Sequence, residues 1–316
     1  MTSRCNLSCE HCYINQPIGD KCLSSKEITL SEIDKISNDA LDLGTLWISL
    51  SGGEPLLRDD FNDIYLMLKK KGFLVSVLTN ATLMTKEHID LFEKYPPRTL
   101  EMSIYGMTEK TTTQVTGKKN VLASFLSGFN MAVHKGFDII LKTVKTPSIA
   151  PELKKMERFA AQYENVVFKV EDRLISRLDQ GETLVKRFSN NGLQPLSKAK
   201  HTGSCNPSKS PYINRFGGNL FLCQAGISSC WISSDANIHL CTTLRCEDFA
   251  YSLKQGNFKE YWKTIIPTLL GTFSTSTHFK KTCSSCKDRA ICGWCPALSW
   301  SETRQLDQKV NFICTK

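Results

Sequence analysis

Cys5-Asn6-Leu7-Ser8-Cys9-Glu10-His11-Cys12-Tyr13 opens the chain and decides how the rest of it is read. Three cysteines, with three and then two residues between them, put three thiolates on one tight loop. A 4Fe–4S cluster held wholly by protein takes four thiolates, so three from one loop leave an iron for a non-protein ligand. A closed cluster only carries electrons, whereas an open iron can do chemistry. The spacing also differs from the bacterial ferredoxin run, which ends in Cys-Pro. The competing reading is a set of unrelated structural cysteines, or part of a zinc site.

Beyond the loop the sequence alternates. Residues 30–43 read as a helix with Ile33, Ile36, Ala40, Leu41 and Leu43 on its apolar side, entered through Thr29 or Ser31 as a cap. Apolar runs at 46–50, 74–78, 99–104, 138–144 and 166–170 read as strands. Between them lie helical patterns at 60–71, 86–94, 121–135 and 151–163. This rhythm predicts an α/β fold with a parallel sheet and helices outside it. About six such units can curl into a partial, TIM-like (β/α)6 barrel, whose chemistry gathers at the C-terminal ends of the strands.

Polar residues fall at those ends. Ser51-Gly52-Gly53-Glu54-Pro55 follows the first strand. Its glycines let backbone approach a ligand closely, and its carboxylate can accept from an ammonium group. Thr79 and Asn80 close the next strand, Ser103 the one after, and Lys142 lies on the fourth. Small hydroxyls and a cation there suit ribose hydroxyls and a carboxylate, although each alone is equally an ordinary surface residue.

The chain has 316 residues, 14 cysteines and a formal charge of +9. Cysteine this frequent in a long chain, without an apolar export signal after Met1, reads as thiolate–metal chemistry in a reducing cytoplasm. No stretch of about eighteen apolar residues spans a membrane. The positive charge suits an acidic peptide or a flavodoxin- or ferredoxin-type electron donor, with nucleic acid the less expected partner.

CxxxCxxC followed by an aromatic resembles the motif of the radical S-adenosylmethionine enzymes, and Gly52-Gly53-Glu54-Pro55 resembles the GGEP motif of the same family. The resemblance implies a partial barrel in which Cys5, Cys9 and Cys12 hold a 4Fe–4S cluster and its open iron binds S-adenosyl-L-methionine. Reductive cleavage of that cofactor gives a 5′-deoxyadenosyl radical. Glu54 and its glycines would hold the methionine amino group, with Tyr13, Thr79, Asn80, Ser103 and Lys142 as further contacts. The run Ser103-Ile104-Tyr105-Gly106 is similar to peptide-modifying members. One departure stands out: the family has a strand before the cysteine loop, and here only Met1-Thr2-Ser3-Arg4 precede it. A truncated first strand is expected to leave its neighbour partly unpaired.

The C-terminal third holds a second cysteine field. Cys283 and Cys286, then Cys292 and Cys295, form two CxxC pairs separated by five residues, fewer than a zinc ribbon uses. Together with Cys223, Cys230, Cys241 and Cys314 the field resembles a SPASM domain, which carries auxiliary 4Fe–4S clusters. Carried over residue by residue, one cluster takes Cys223, Cys241 and Cys295, with Cys230 as candidate fourth ligand. The other takes Cys283, Cys286, Cys292 and Cys314. The family turn before the second cysteine reads Asp-Gly; here it is Asp235-Ala236, with Asn237 able to adopt the turn instead. Cys22, Cys205 and Cys246 match no ligand position and suit small buried hydrophobes.

The expected domains are therefore a radical barrel over 1–171, a basic bridge over 172–222 and the auxiliary domain over 223–316. The function implied is modification of a ribosomally made peptide or protein, for example by a thioether or carbon–carbon crosslink. The rivals are chemistry on a small molecule or cofactor precursor, and a catalytically silent iron–sulfur scaffold or peptide-binding protein.

Overall fold

The computed structural model describes residues 1–14, 21–171, 174, 223, 225–244, 249–273, 276–283, 286, 294–310 and 314. The chain divides into two compact units, Met1–Arg187 with Ser233–Ala236, and Phe188–Ile232 with Asn237–Lys316. Apart from residue 174, the expected bridge over 172–222 lies outside the described residues.

The first unit begins with helices α1 (Lys21–Lys26) and α2 (Leu30–Asp42). Thr29, rather than Ser31, caps α2. Its hydroxyl accepts from the Glu32 N–H at 3.2 Å, while the Glu32 carboxylate accepts from the Thr29 N–H at 2.8 Å. This reciprocal pair satisfies two otherwise orphaned donors.

Strands β1 (Trp47–Leu50), β2 (Leu74–Thr79), β3 (Thr99–Ser103), β4 (Ile139–Val144) and β5 (Val166–Glu171) then alternate with α3 (Phe61–Lys70), α4 (Lys86–Lys94), α5 (Glu109–Thr116), α6 (Val121–His134) and α7 (Leu153–Ala160). All five strands are parallel, in the order β1-β2-β3-β4-β5. Right-handed crossovers between sequential parallel strands place every helix on one face. The row Leu50, Val77, Leu100 and Ile139, aligned by register, is accordingly buried. The opposite row, Leu78, Glu101, Ile140 and Val167, is only half-buried or exposed.

Aromatic rings fill the helical layer. Tyr65 of α3 packs on Phe92 of α4 at 4.9 Å, and Phe129 of α6 on Phe159 of α7 at 5.1 Å. Five strands are described where the rhythm suggested about six units, and β1 forms one edge. Residues 2–4, where a first strand was expected to be truncated, lie against the loop after β1. The Thr2 carbonyl accepts from the Gly53 N–H at 2.8 Å and the Arg4 carbonyl from the Glu54 N–H at 2.9 Å.

The second unit holds a small antiparallel sheet of β6 (Trp231–Ile232), β7 (Asn237–His239) and β8 (Tyr251–Ser252). Helix α8 (Phe258–Glu260) runs through a π-helical turn (Tyr261–Ile265) into α9 (Ile266–Phe273), followed by α10 (Thr277–Thr282) and α11 (Pro296–Thr303). Ile238, Leu240, Phe258, Tyr261 and Ile266 are buried. The turn before β7 corrects one expectation: Ala236, not Asn237, takes the left-handed conformation, at φ 66°. Asn237 is already the first residue of β7, where pairing with Ser252 requires extended backbone. Among the described residues no helix is long and apolar enough to cross a membrane.

Candidate active site at the strand ends

The site is built from four strand ends and one loop. The loop is Cys5–Cys12, and its backbone is fixed from outside. The Ser8 N–H donates to the Thr116 carbonyl at 3.0 Å and the Glu10 N–H to the Val115 carbonyl at 2.8 Å, both at the C-terminus of α5. Helix C-termini carry unpaired carbonyls, and here the loop satisfies two of them. Gly117 ends that helix at φ 69°, a conformation that glycine adopts without strain.

Side chains tie the loop to the sheet. The Asn6 amide donates to the Thr82 hydroxyl at 2.8 Å and accepts from the Asn80 amide at 2.9 Å, just beyond β2. The Glu10 carboxylate accepts from Thr146 at 2.9 Å and Ser148 at 3.3 Å, just beyond β4. Both contacts lie past strand C-termini, where sites in such sheets form.

Cys9 is buried, and Cys5, Cys12 and Tyr105 pack against the apolar group of Leu7, Cys9 and Val121. Burial pushes the Cys5 thiol up to about 11, against a hydrogen bond from the Leu7 N–H at 3.4 Å that favours the thiolate. Burial raises Cys9 further, and the Cys5 and Cys12 thiols add to it. Three sulfurs that each resist ionisation because the others are near are a set awaiting a cation. Metal charge reverses that balance and deprotonates coordinating thiols. The trio therefore fits a cluster iron set.

Glu54 is fully buried at the end of β1. Its carboxylate accepts from the Thr79 hydroxyl at 2.7 Å, the Asn80 N–H at 2.7 Å and the Leu56 N–H at 3.0 Å. Burial nevertheless wins over these donors and pushes the group up to about 7. No cation pairs with it among the described residues. Gly52 and Gly53 are required by contact: a Cβ at either would come within 2.1 Å of the Thr2 or Arg4 carbonyl oxygen. The Gly-Gly pair thus lets the Glu54 loop lie flat on the segment leading to Cys5. Arg4 is itself held by Glu27 at 2.9 Å, which also lies near Arg58.

The other expected contacts divide. Thr79 and Asn80 belong to the Glu54 cradle, and the Asn80 amide also reaches Cys5 Sγ at 3.9 Å. Ser103 is aligned with Lys142 across β3 and β4 and hydrogen-bonds Tyr105. The Lys142 ammonium lies 3.3 Å from the Glu101 carboxylate, so it meets a partner on the sheet's less buried face. Tyr13 directly follows the loop and is half-buried.

Residue-level reasoning did not assign Tyr105 to the site, yet its phenol bonds both Ser103 and the Cys9 thiol. Burial pushes that phenol well up. His11 stacks 5.9 Å from it, with a buried Nδ1 that finds no partner and a pKa lowered to about 4 by burial. Both residues lay inside quoted motifs, so position alone could have flagged them.

In the second unit, Cys241 Sγ accepts from the Leu244 N–H at 3.3 Å. Cys295 caps α11 and accepts from the Leu298 N–H at 3.4 Å. Burial raises the Cys295 thiol, and the Cys241 and Cys223 thiols raise it further, so these three lie in electrostatic reach of one another. Burial pushes Cys230 up to about 12. The Cys286 N–H donates to the Cys283 carbonyl at 3.2 Å, and the Cys314 N–H to the Val310 carbonyl at 2.8 Å. Cys292, Cys205 and Cys246 lie outside the described residues. Among the described residues no three His, Cys, Asp or Glu side chains close on a single metal ion.

Residues 1–159 match the Radical SAM superfamily. The AdoMet-dependent heme synthase of Methanosarcina barkeri is 22% identical over 96% of this chain and 91% of its own length. A probable GTP 3′,8-cyclase of Methanothermobacter thermautotrophicus is 35% identical over 44% of each chain. The subtilosin biosynthesis protein AlbA of Bacillus subtilis is 30% identical over 39% of this chain and 27% of its own. This chain therefore spans less than half the length of the last two.

Among solved structures, Streptococcus suis SuiB bound to S-adenosylmethionine superposes on all of this chain and 76% of its own, with a TM-score of 0.71 at 16% identity. The maturase anSMEcpe with bound AdoMet covers 99% of this chain and 88% of its own, with a TM-score of 0.63 at 16% identity. Membership implies a 4Fe–4S cluster and S-adenosylmethionine, and the thiol trio beside an unpaired buried carboxylate fits both. By sequence, fold and site, this chain is an enzyme of the Radical SAM superfamily.

Proposed function

We propose that this enzyme modifies a peptide or protein by radical chemistry, with Cys5, Cys9 and Cys12 holding its 4Fe–4S cluster and Glu54 receiving the cofactor's ammonium group. When bound, cluster and S-adenosylmethionine together supply a 5′-deoxyadenosyl radical. The observation that carries this reading is the raised, fully buried Glu54 beside Cys5. A carboxylate desolvated without a cation is a poor structural element and a good receptor for an ammonium.

The chain's own residues do the rest. The Leu7 amide and the Asn80 side chain steady Cys5. Gly52 and Gly53 bring backbone to the ligand. Asn80, Ser103 and Tyr13 line the neighbouring strand ends, and Lys142 with Glu101 offers polar contacts on the sheet's half-buried face. The C-terminal thiols Cys223, Cys241 and Cys295, with Cys230, would hold one auxiliary cluster, and Cys283, Cys286, Cys292 and Cys314 another. Such a SPASM-like module accompanies peptide substrates in its family. The printed names of AlbA, a bacteriocin biosynthesis protein, and of SuiB bound to the precursor peptide SuiA agree with that choice. A charge of +9 suits an acidic leader peptide and a flavodoxin-type donor.

Anaerobically reconstituted enzyme should carry about twelve irons per chain. With dithionite and S-adenosylmethionine it should release 5′-deoxyadenosine. Replacing Cys5, Cys9 and Cys12 together by alanine should remove about four irons and abolish release. Fully loaded enzyme that releases none would sink the reading.

One observation favours a second reading, chemistry on a small cofactor precursor: the heme synthase matches along 96% of this chain, AlbA along only 39%. Co-expression with any short reading frame adjacent to the gene separates the two. A hydrogen-deficient or crosslinked peptide mass supports peptide maturation, and an unaltered peptide supports the small molecule.

A further inference from the structure

Tyr261 is fully buried in the second unit, and its hydroxyl finds no hydrogen-bond partner among the described residues. Buried tyrosines ordinarily place that hydroxyl on an acceptor. The nearest aromatic neighbour does not serve: the Tyr251 ring lies 5.5 Å away, but its hydroxyl is engaged with the Glu260 carboxylate at 2.6 Å. What faces the Tyr261 phenol instead is sulfur. Its electrostatic neighbours are the Cys230 and Cys241 thiols.

The backbone adds an independent observation. Tyr261 opens the π-helical turn Tyr261–Ile265 that joins α8 to α9. Such turns interrupt the helical ladder and are uncommon except where a side chain must be aimed at a site. A neutral thiol is a weak acceptor and does not satisfy a phenol. A thiolate bound to iron, or an inorganic sulfide, is a charged acceptor and does.

We propose that the Tyr261 hydroxyl donates a hydrogen bond to a sulfur of an iron–sulfur cluster held by Cys230 and Cys241, and thereby raises that cluster's reduction potential. The inference rests on the reading of the C-terminal thiols as cluster ligands and deepens it. It makes Cys230 a ligand rather than a buried hydrophobe. A hydrogen bond to cluster sulfur stabilises the more negative, reduced state more than the oxidised one, which moves the potential upwards. Tyr261 acts through the cluster, so it is a tuning residue and not a catalytic one.

The test uses reconstituted full-length enzyme and Tyr261→Phe, compared by iron content and EPR-monitored redox titration. Equal iron content with one cluster's midpoint moved to more negative potential, and the others unmoved, supports the proposal. Iron content at the level of a single cluster in the parent enzyme overturns both the auxiliary-cluster reading and this inference. A full iron load with every midpoint unchanged overturns the role of Tyr261 alone. Two further readouts do not depend on the variant's folding. Proton ENDOR of the parent enzyme should show a solvent-exchangeable coupling to that cluster, and Cys230→Ser should alter that cluster's EPR signal and no other. Absence of the coupling, or an unchanged signal in Cys230→Ser, counts against the proposal. Before loading, Tyr261→Phe should melt no lower than the parent, because the deleted hydroxyl has no partner there.

Discussion

The two cysteine regions of this chain use the same ligand chemistry and are built in opposite ways. The N-terminal loop takes its thiols from one contiguous stretch, Cys5 to Cys12, and every turn of that stretch is braced by protein. Two amides bond the end of α5, Asn6 joins Asn80 and Thr82, and Glu10 joins Thr146 and Ser148. The C-terminal field draws Cys223, Cys230, Cys241 and Cys295 from segments far apart in sequence. Its sheet consists of strands two or three residues long. Strands that short supply little stability of their own. The first region is a preformed receptor, whereas the second is a set of ligands whose order depends on what they bind.

Iron removal is the strongest way to break this comparison. Anaerobic chelation should leave amide protection in β2, β3 and β4 nearly unchanged, because their core is aromatic and aliphatic and contains no cluster ligand. Protection in β6, β7 and α11 should fall by on the order of a hundredfold, since metal-binding energy there is folding energy. Hydrogen exchange followed by mass spectrometry reads both units in one sample. Equal loss in the two units would show that the N-terminal loop also depends on its metal.

The sequence displays the preformed half better than the assembled half, for a physical reason. The five strands of the sheet fall within one or two residues of their expected limits because period-two and period-3.6 patterns are local signals. The helix α5 escapes that reading. Its sequence, EKTTTQVT, has little apolar periodicity, and it is fixed by the Thr108 cap and the left-handed Gly117. Lys142 reads as a free cation until the register is known. Only then does Glu101, one strand over, become its neighbour. The Gly-Gly-Glu signature marks the position of Glu54, but not that three donors already occupy its carboxylate. Register, burial and donor saturation are products of tertiary structure, and no local pattern carries them.

The preformed character of the first site can be measured through pH. Glu54 rises from 4.5 to about 7 on folding, so the folded state holds its proton more tightly than the unfolded state. Stability from this group is full below about pH 4.5 and is lost as pH rises through 7. The shift corresponds to about 3 kcal/mol. His11 has the opposite sign: its pKa falls to about 4, so its contribution is present above pH 6.5 and is lost as pH falls through 4.

Glu54→Gln removes the first slope. Metal-free Glu54→Gln should therefore be more stable than the parent by up to about 3 kcal/mol near pH 7.5, while binding S-adenosylmethionine more weakly. Urea unfolding of both proteins between pH 4.5 and 7.5 gives the slopes. If the parent and the variant lose stability in parallel, Glu54 ionises on folding and its site is not held ready for a cation.

The smallest expected effect concerns the assembled half, at the turn that delivers Cys241. Ala236 adopts φ 66° there, with its N–H on the Ser233 carbonyl at 3.2 Å. A left-handed alanine costs roughly 1–2 kcal/mol. Glycine would remove that strain but lose about 0.8 kcal/mol of buried methyl and some unfolded-state restriction. The terms nearly cancel, so Ala236→Gly should change stability by less than about 0.5 kcal/mol. Asn237→Gly acts on extended backbone at the start of β7, where glycine offers no relief, and should cost about 1 kcal/mol. Denaturation midpoints of the two variants therefore rank the neighbouring positions. Were Asn237 the left-handed residue, the ranking would invert, and the strand that leads to Cys241 would begin one residue later.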